Sequence, residues 1–410
     1  MTMRCSAAVI ILSSLLLAFV SCRDVLPDGG GEDTGTLKGD TAVRTLVVYM
    51  MAENSLASFA ATDIEEIREG ALSVPSDCRL FVFVDDCGNP RMLQFKNSET
   101  GVVEEVVVNG YNNDFCSSDT AALASVLCDL LDDYPTRALD LVLWSHGDGW
   151  LPDYSRAAPM RAIGIDNGKD SFSDRTAKSI EIQELAAVIE RLPTKVDRLM
   201  FDACFMQSVE VAYALRDVVE WVIASPAEIP GDGAPYDTVV GEFFASDGVE
   251  GVIDAYKAAY EGETMGVVLS AAYMPAMQRL ADVSYSIICN YFNRSKKREY
   301  IDVFAYLPGG ASGYYGYMPC FYDANAVMRK YLTDGEFAVW KEALDAAVPY
   351  AVTTGCWYSA YVNRILPVNA SVYSGISMYM PQATNRYTML NNDFSGTEWY
   401  SAVGWDAAGW

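Results

Sequence analysis

Short apolar runs alternate with helical stripes from residue 43 to residue 224, and this alternation constrains the fold more than any other feature. Thr45 to Met50, Leu80 to Val84, Leu139 to Trp144, Arg198 to Phe201 and Trp221 to Ala224 are short, and most are continuously apolar, as strands buried on both faces are. Between them Leu56, Phe59, Ile64 and Ile67, then Leu123, Val126, Leu127, Leu130 and Leu131, then Leu185, Val188, Ile189 and Leu192 recur with helical spacing. Val209, Val211, Ala212 and Leu215 mark a further helix. The pattern predicts an α/β fold with a mostly parallel central sheet between helical layers. Ser118 or Asp119 is placed to cap the second helix and Ser179 the third. Residues 102–108 read as a hairpin arm, 145–150 as a turn, 151–178 as a long loop and 225–233 as an irregular Pro/Gly loop. Beyond residue 245 the pattern gives helices over 249–261 and 276–294 and strands over 265–271 and 374–380. Residues 246–410 are then a C-terminal subdomain or an extension of the same sheet.

Ahead of this region, residues 1–21 read as an export signal, with Arg4 followed by an apolar run from Ala7 to Val20. The run closes on Ser21-Cys22 and resembles a bacterial lipoprotein cleavage site, although Phe19 stands where leucine is usual. The resemblance implies cleavage before Cys22 and lipid attachment to its sulfur; an ordinary signal peptide with a nearby cut is the alternative. Residues 22–42, with Gly29-Gly30-Gly31 at their centre, form a polar tether. No later segment is long and apolar enough to span a bilayer. The expected location is the bacterial cell envelope, with the chain lipid-anchored at Cys22 on the periplasmic face or cell surface, or secreted.

Charge and histidine usage narrow the chemistry. With 29 basic and 55 acidic residues the net charge is −26, which repels phosphate and argues against a nucleic-acid partner. His146 is the chain's single histidine, so a multi-histidine metal site is impossible and any imidazole catalysis must use it. Ten cysteines occur without a CxxC pair, removing the metal-ribbon and thioredoxin signatures. Buried free thiols are the default for most of them, with Cys78–Cys87 one candidate bridge. No metal site is assigned.

His146 follows the third core strand and Cys204 the fourth, and chemistry in parallel sheets collects beyond the carboxyl ends of strands. If those strands are neighbours, about 4.8 Å apart, imidazole and thiol share one crevice and the imidazole can generate a thiolate nucleophile. The N–H groups of Gly147 and Cys204 are candidate oxyanion donors, and glycine at 147 lets backbone approach a substrate. Each residue has a plainer reading, a buried small hydrophobe for the cysteine and a turn residue for the histidine. Ser225 and Glu228, after the fifth strand, are weaker candidates for a pocket wall, and Asp148 and Trp150 for shaping the crevice. No G-x-S-x-G elbow supports a serine hydrolase.

Leu141-Val142-Leu143-Trp144-Ser145-His146-Gly147-Asp148-Gly149-Trp150, Phe201-Asp202-Ala203-Cys204-Phe205-Met206 and the opening Val48-Tyr49-Met50-Met51-Ala52-Glu53-Asn54-Ser55-Leu56 together resemble the clostripain family of cysteine peptidases. The likeness runs over roughly residues 43–245. It implies a caspase-like three-layer α/β fold, a His146–Cys204 dyad and cleavage after Arg or Lys. Asp202 then corresponds to the acid at the floor of the specificity pocket; a plain reading makes it a helix cap. The family includes members matured by a cut between histidine and cysteine, an interval holding Arg156, Arg161, Lys169, Arg175 and Lys178. It also includes calcium-dependent enzymes. Asp166-Asn167-Gly168-Lys169-Asp170 offers oxygen ligands without the full spacing of a calcium loop, so no cofactor is required and calcium stays open. The expected activity is an exported cysteine endopeptidase acting on basic protein or peptide substrates, of unassigned oligomeric state. The rivals are a catalytically silent peptide-binding lipoprotein and a transpeptidase or amidase using the same dyad.

Overall fold

The computed structural model describes residues 40–86, 88–98, 101–153, 160–168, 178–294, 302–307 and 318–410. The export signal, Cys22, nearly all of the tether and Cys87 lie outside these residues. Cys78 stands as a free thiol, and no disulfide joins the described cysteines.

In chain order the elements are β1 (Ala42–Met51), α1 (Ala57–Gly70), β2 (Arg79–Asp85), β3 (Arg91–Asn97), β4 (Val103–Gly110), α2 (Thr120–Asp133), β5 (Thr136–Trp144), β6 (Gly147–Asp153), β7 (Met160–Asp166), β8 (Lys178–Ile180), α3 (Ile182–Glu190), β9 (Val196–Asp202), α4 (Val209–Leu215), β10 (Val219–Ala224), α5 (Tyr236–Ala245) and α6 (Glu250–Ala259). They continue with β11 (Val268–Tyr273), α7 (Met277–Tyr291), β12 (Tyr322–Asp323), α8 (Ala324–Tyr331), α9 (Asp334–Ala347), β13 (Tyr350–Thr353), β14 (Cys356–Ser359), β15 (Arg364–Pro367), β16 (Ser377–Met378), α10 (Thr388–Phe394) and α11 (Glu398–Ala402).

A nine-stranded sheet runs β13-β11-β10-β9-β5-β1-β2-β3-β4. Its five central strands are parallel, and antiparallel pairs close both edges. Successive residues of a strand face opposite ways, and the core divides accordingly. Val47, Tyr49, Leu141, Leu143, Leu199 and Phe201 pack with α2, α3 and α4 on one face. Leu46, Val48, Met50, Val142, Trp144 and Met200 pack with α1, α5 and α6 on the other. This is the expected three-layer α/β architecture.

Across the opposite end of the sheet from the strands' carboxyl ends, a buried ionic cluster ties β1, β5 and β9 together. Arg198 grips both oxygens of Asp140 at 2.8 and 2.6 Å, and Arg44 donates to the same carboxylate at 2.8 Å. Arg198 also donates to the carbonyls of Phe243, Ser246 and Gly248. These contacts straddle residue 245, the boundary read from the sequence. Beyond it β11 and β13 continue the sheet itself, and Trp340, Trp357, Trp399 and Trp405 share an apolar cluster with α2, α3 and α4.

Several expectations need correcting. The turn over 145–150 and the loop over 151–178 give way, where described, to a small antiparallel sheet of β6, β7 and β8. Gly, Asp and Pro in 147–153 read as turn residues, yet Trp150 and Leu151 bury their side chains in the main core. Asp119, not Ser118, caps α2, accepting from the N–H groups of Ala121 and Ala122. Ser179 lies within β8, and α3 starts with Glu184 reaching back to the N–H of Glu181. The hairpin arm has a partner strand, β3, whose alternation is masked by Arg91, Gln94 and Lys96. Of residues 374–380 only Ser377–Met378 pairs as a strand, against β12.

Candidate active site

Strand pairing determines where the two reactive side chains emerge. β5 and β9 are parallel neighbours with Trp144 opposite Asp202, and the N–H of Ser145 extends the ladder to the Asp202 carbonyl at 3.4 Å. His146 and Cys204 each stand two residues beyond that last pair. Both line one cavity of about 740 Å³ at the carboxyl end of the sheet.

The segment carrying Cys204 is held in a constrained turn. Phe205 has φ +61°, a left-handed conformation that costs a residue with a Cβ and persists only where its surroundings enforce it. Its N–H donates to the Ala227 carbonyl at 2.9 Å, and its ring stacks on Phe321 at 4.8 Å. The turn ends β9 and leads into α4, capped by the Ser208 hydroxyl. The backbone N–H of Ile229 donates to the Cys204 sulfur at 3.4 Å. Burial pushes the Cys204 thiol up to about 12; the Ile229 N–H opposes this, and Glu228, Asp148 and Asp202 add to it. The rise favours the neutral thiol.

His146 is half-buried, and its Nε2 lies 2.9 Å from the Ser55 hydroxyl. Ser55 follows β1, so a third strand end contributes to the site. Gly147 is needed for packing between the two loops: a Cβ there would lie 2.8 Å from the Cys204 carbonyl and 2.9 Å from the Met206 sulfur. The close approach that glycine permits is to the Cys204 loop, where the sequence reading had a substrate.

Asp202 lines the same cavity but is only 3% exposed. Its Oδ2 accepts from the Ala234 N–H at 3.0 Å and the Tyr236 hydroxyl at 2.9 Å, and its Oδ1 from the Tyr256 hydroxyl at 3.2 Å. Desolvation raises its pKa, and these three donors oppose the rise. The loop around it requires glycine at 233, where φ is +61° and a Cβ would meet Asp202 Oδ2 at 2.8 Å. The helix-cap reading of Asp202 fails, since Ser208 caps α4 and the Asp202 carboxylate binds the 234–236 segment.

Glu228 also lines the cavity, with Oε1 accepting from the N–H groups of Ala360 at 2.8 Å and Tyr361 at 3.4 Å. It fastens the β14–β15 hairpin to the mouth, and Tyr358, Ala360 and Tyr361 become part of the wall. Asp148 belongs to that wall and accepts from the Tyr361 hydroxyl at 3.4 Å. Trp150 does not; it packs against Tyr379 and Phe394. Ser225 is fully buried outside the lining, its hydroxyl bridging the N–H and carbonyl of Ala227.

Four contributors were missed. Leu56 and Phe59, expected on the inner face of α1, line the cavity. Asp232 adds a second carboxylate to its wall, and its position between two glycines in a loop after a central strand was the available signal. Ser55 stood in the opening stretch that carries the family resemblance, and nothing in that stretch signalled its contact with His146.

The model of the clostripain family matches residues 48–410. The fold is also similar to solved C11 proteases. An inactive zymogen from Parabacteroides distasonis is 27% identical with TM-score 0.75, the match covering 89% of this chain and 99% of that one. A secreted cysteine protease from Bacteroides thetaiotaomicron, solved with an irreversible peptide inhibitor, is 28% identical with TM-score 0.74, covering 89% and 100%. A Bacteroides fragilis cysteine protease is 30% identical with TM-score 0.51, covering 58% and 99%. No curated protein matches the chain. A parallel sheet presenting a cysteine and the sole histidine on one cavity, and a family match running from β1 to the last residue, place this chain in the clostripain family of cysteine peptidases.

Proposed function

We propose that the chain is an exported endopeptidase that hydrolyses peptide bonds after Arg or Lys. The observation that carries this reading is the shared cavity: Cys204, His146, Asp202 and Asp232 all line it.

The Cys204 sulfur attacks the scissile carbonyl while His146 takes the thiol proton. The N–H groups of Gly147 and Cys204 hold the oxyanion. Collapse of the tetrahedral intermediate breaks the C–N bond, and His146 passes its proton to the leaving amine. Water then hydrolyses the thioester, releasing the acid and restoring the thiol. The Ile229 N–H at the sulfur assists as negative charge develops there. Asp202, held by two tyrosine hydroxyls and a backbone N–H, receives the guanidinium or ammonium of the substrate, with Asp232 lining the same cavity. Ser225 and Glu228 support the pocket through loop structure. The peptide inhibitor bound by the Bacteroides thetaiotaomicron neighbour supports peptide binding here, and that neighbour's secretion supports export.

Residues 1–21 direct export, Cys22 carries the lipid and residues 22–42 tether the enzyme. Among the described residues no helix is long and apolar enough to cross a membrane. The interval between His146 and Cys204, where the resemblance would put a maturation cut, holds Arg156, Lys169 and Arg175 outside the described residues.

A fluorogenic peptide panel varying the residue before the cut, run with and without calcium, tests the activity. Asp202→Ala is expected to depress cleavage after Arg far more than it weakens binding of the rest of the peptide. Unchanged Arg preference in that variant removes its assigned role. Labelling of Cys204 that is indifferent to His146, with no turnover, leaves a silent binding protein. Products bearing an added amine acceptor make it a transpeptidase.

A further inference from the structure

The reactive cavity is larger than one basic side chain requires. At about 740 Å³ it has the size of a site that encloses a whole small ligand. Asp202 and Asp232 answer for a basic group, while Leu56, Phe59, Met265, Tyr358 and Tyr361 line the same cavity without charge.

The two tyrosines come from the β14–β15 hairpin, and its alternation shows how they reach the cavity. In β14 Trp357 and Ser359 are buried, whereas Tyr358 is half-buried and the following Ala360 is exposed. Successive residues of a strand face opposite ways, so one face of β14 packs inward, and Tyr358 and Ala360 line the cavity from the other. Tyr358 stands opposite Ile365 of β15. Cross-strand partners share a face, and Ile365, 44% exposed, continues this apolar face outside the cavity. The Tyr358 hydroxyl donates to Asn363 Oδ1 at 2.7 Å and the Tyr361 hydroxyl to Asp148 at 3.4 Å. Ring carbon, rather than a hydroxyl, is then what the hairpin offers a ligand.

A two-stranded hairpin is marginal by itself, but this one is pinned beside the reactive turn. Glu228 accepts from the N–H groups of Ala360 and Tyr361, and Trp357 belongs to the main core. The Tyr361 ring lies 6.1 Å from that of Phe205, the residue after Cys204. An exposed apolar face that is held in place and continuous with a reactive cavity is a binding surface. In an extended peptide neighbouring side chains point apart, so a basic side chain seated at the carboxylates directs its neighbour to another wall. We propose that Tyr358, Tyr361 and Ile365 form a subsite for an apolar side chain adjoining the basic residue of the substrate. This subsite rests on the reading of Asp202 and Asp232 as acceptors of the basic group, and the experiment separates the two.

The test uses the full chain bearing Cys204→Ala, which abolishes turnover, and short dye-labelled peptides with one Arg, read by fluorescence anisotropy. The residues on either side of the Arg are changed in turn from Gly to Leu. On one side Leu is expected to tighten binding about tenfold, the worth of burying one such side chain. Tyr358→Ala should reduce that advantage to about threefold or less. Ile365→Ser, at an exposed position, serves as the second variant if the first does not fold, and should also reduce it. Equal binding of the Gly and Leu peptides on both sides, or a full leucine advantage in both variants, overturns the subsite. Replacing Arg by Gln addresses the other reading: peptides that bind equally with either residue yet still favour Leu remove the basic preference and leave the subsite standing. A chain that binds none of the peptides overturns both.

Discussion

The Nε2 atom of His146 and the hydroxyl of Ser55 meet at 2.9 Å, joining the end of β5 to the loop after β1. This hydrogen bond restrains the imidazole that, on the proposed mechanism, exchanges a proton with the Cys204 sulfur. Ser55→Ala should lower kcat about tenfold with little change in KM, the loss of one well-placed hydrogen bond. Ser55→Thr, which keeps the hydroxyl, should recover most of the rate. Steady-state kinetics on an Arg substrate check both; equal loss in the two variants would make Ser55 a packing residue only.

Cys204 carries a thiol pushed up to about 12, chiefly by burial. In the free enzyme its thiolate fraction should therefore rise about tenfold per pH unit from pH 7 to pH 10 without a plateau. Iodoacetamide alkylation followed by mass spectrometry reads this directly. A plateau below pH 8 would mean a preformed thiolate.

Asp140 is shared by two arginines in a buried part of the sheet. Asp140→Asn leaves Arg198, only 1% exposed, without its counter-charge. Stability should fall by about 3–5 kcal/mol, the usual cost of breaking a buried ion pair from one side. Urea unfolding of the Cys204→Ala chain measures it, and Arg44→Met should cost less because Arg198 keeps its two-pronged contact.

Asp63 accepts the Trp144 indole N–H at 2.7 Å, and burial followed by the nearby Asp202 carboxylate raises its pKa to about 8. A carboxyl that holds its proton more tightly when folded stabilises the protein fully below about pH 4, and that contribution disappears as pH climbs to about 8. Asp63→Asn cannot ionise. Its thermal midpoint should therefore gain on that of the unsubstituted chain steadily from pH 4 to pH 8. A constant difference over that range would show that Asp63 ionises as an ordinary carboxyl.

The parallel core was legible because buried central strands need no polar alternation and announce themselves as apolar runs. The His146–Cys204 placement followed from strand ends alone, since topology brings successive carboxyl ends of a parallel sheet to one side. What escaped was whatever depends on distant segments. Glu228 gave no sign that its partners would be Ala360 and Tyr361, more than 130 residues on. β6 was hidden because its ladder partner β7 and its buried Trp150, rather than its own residue preferences, stabilise it. Leu56 and Phe59 fit the helical period of α1 and were assigned to the core, but the period cannot tell a core face from one that ends at a cavity.

β10 would be the rim of the sheet if the chain stopped near residue 245, since β11 reaches it from beyond that point. A strand with unpaired amides and buried Val222 and Ile223 at a rim is a template for joining other molecules. The chain beyond residue 245 replaces that rim with β13, four residues long and partly exposed. A protein trimmed to its reactive half would thus be expected to clump before it could be assayed.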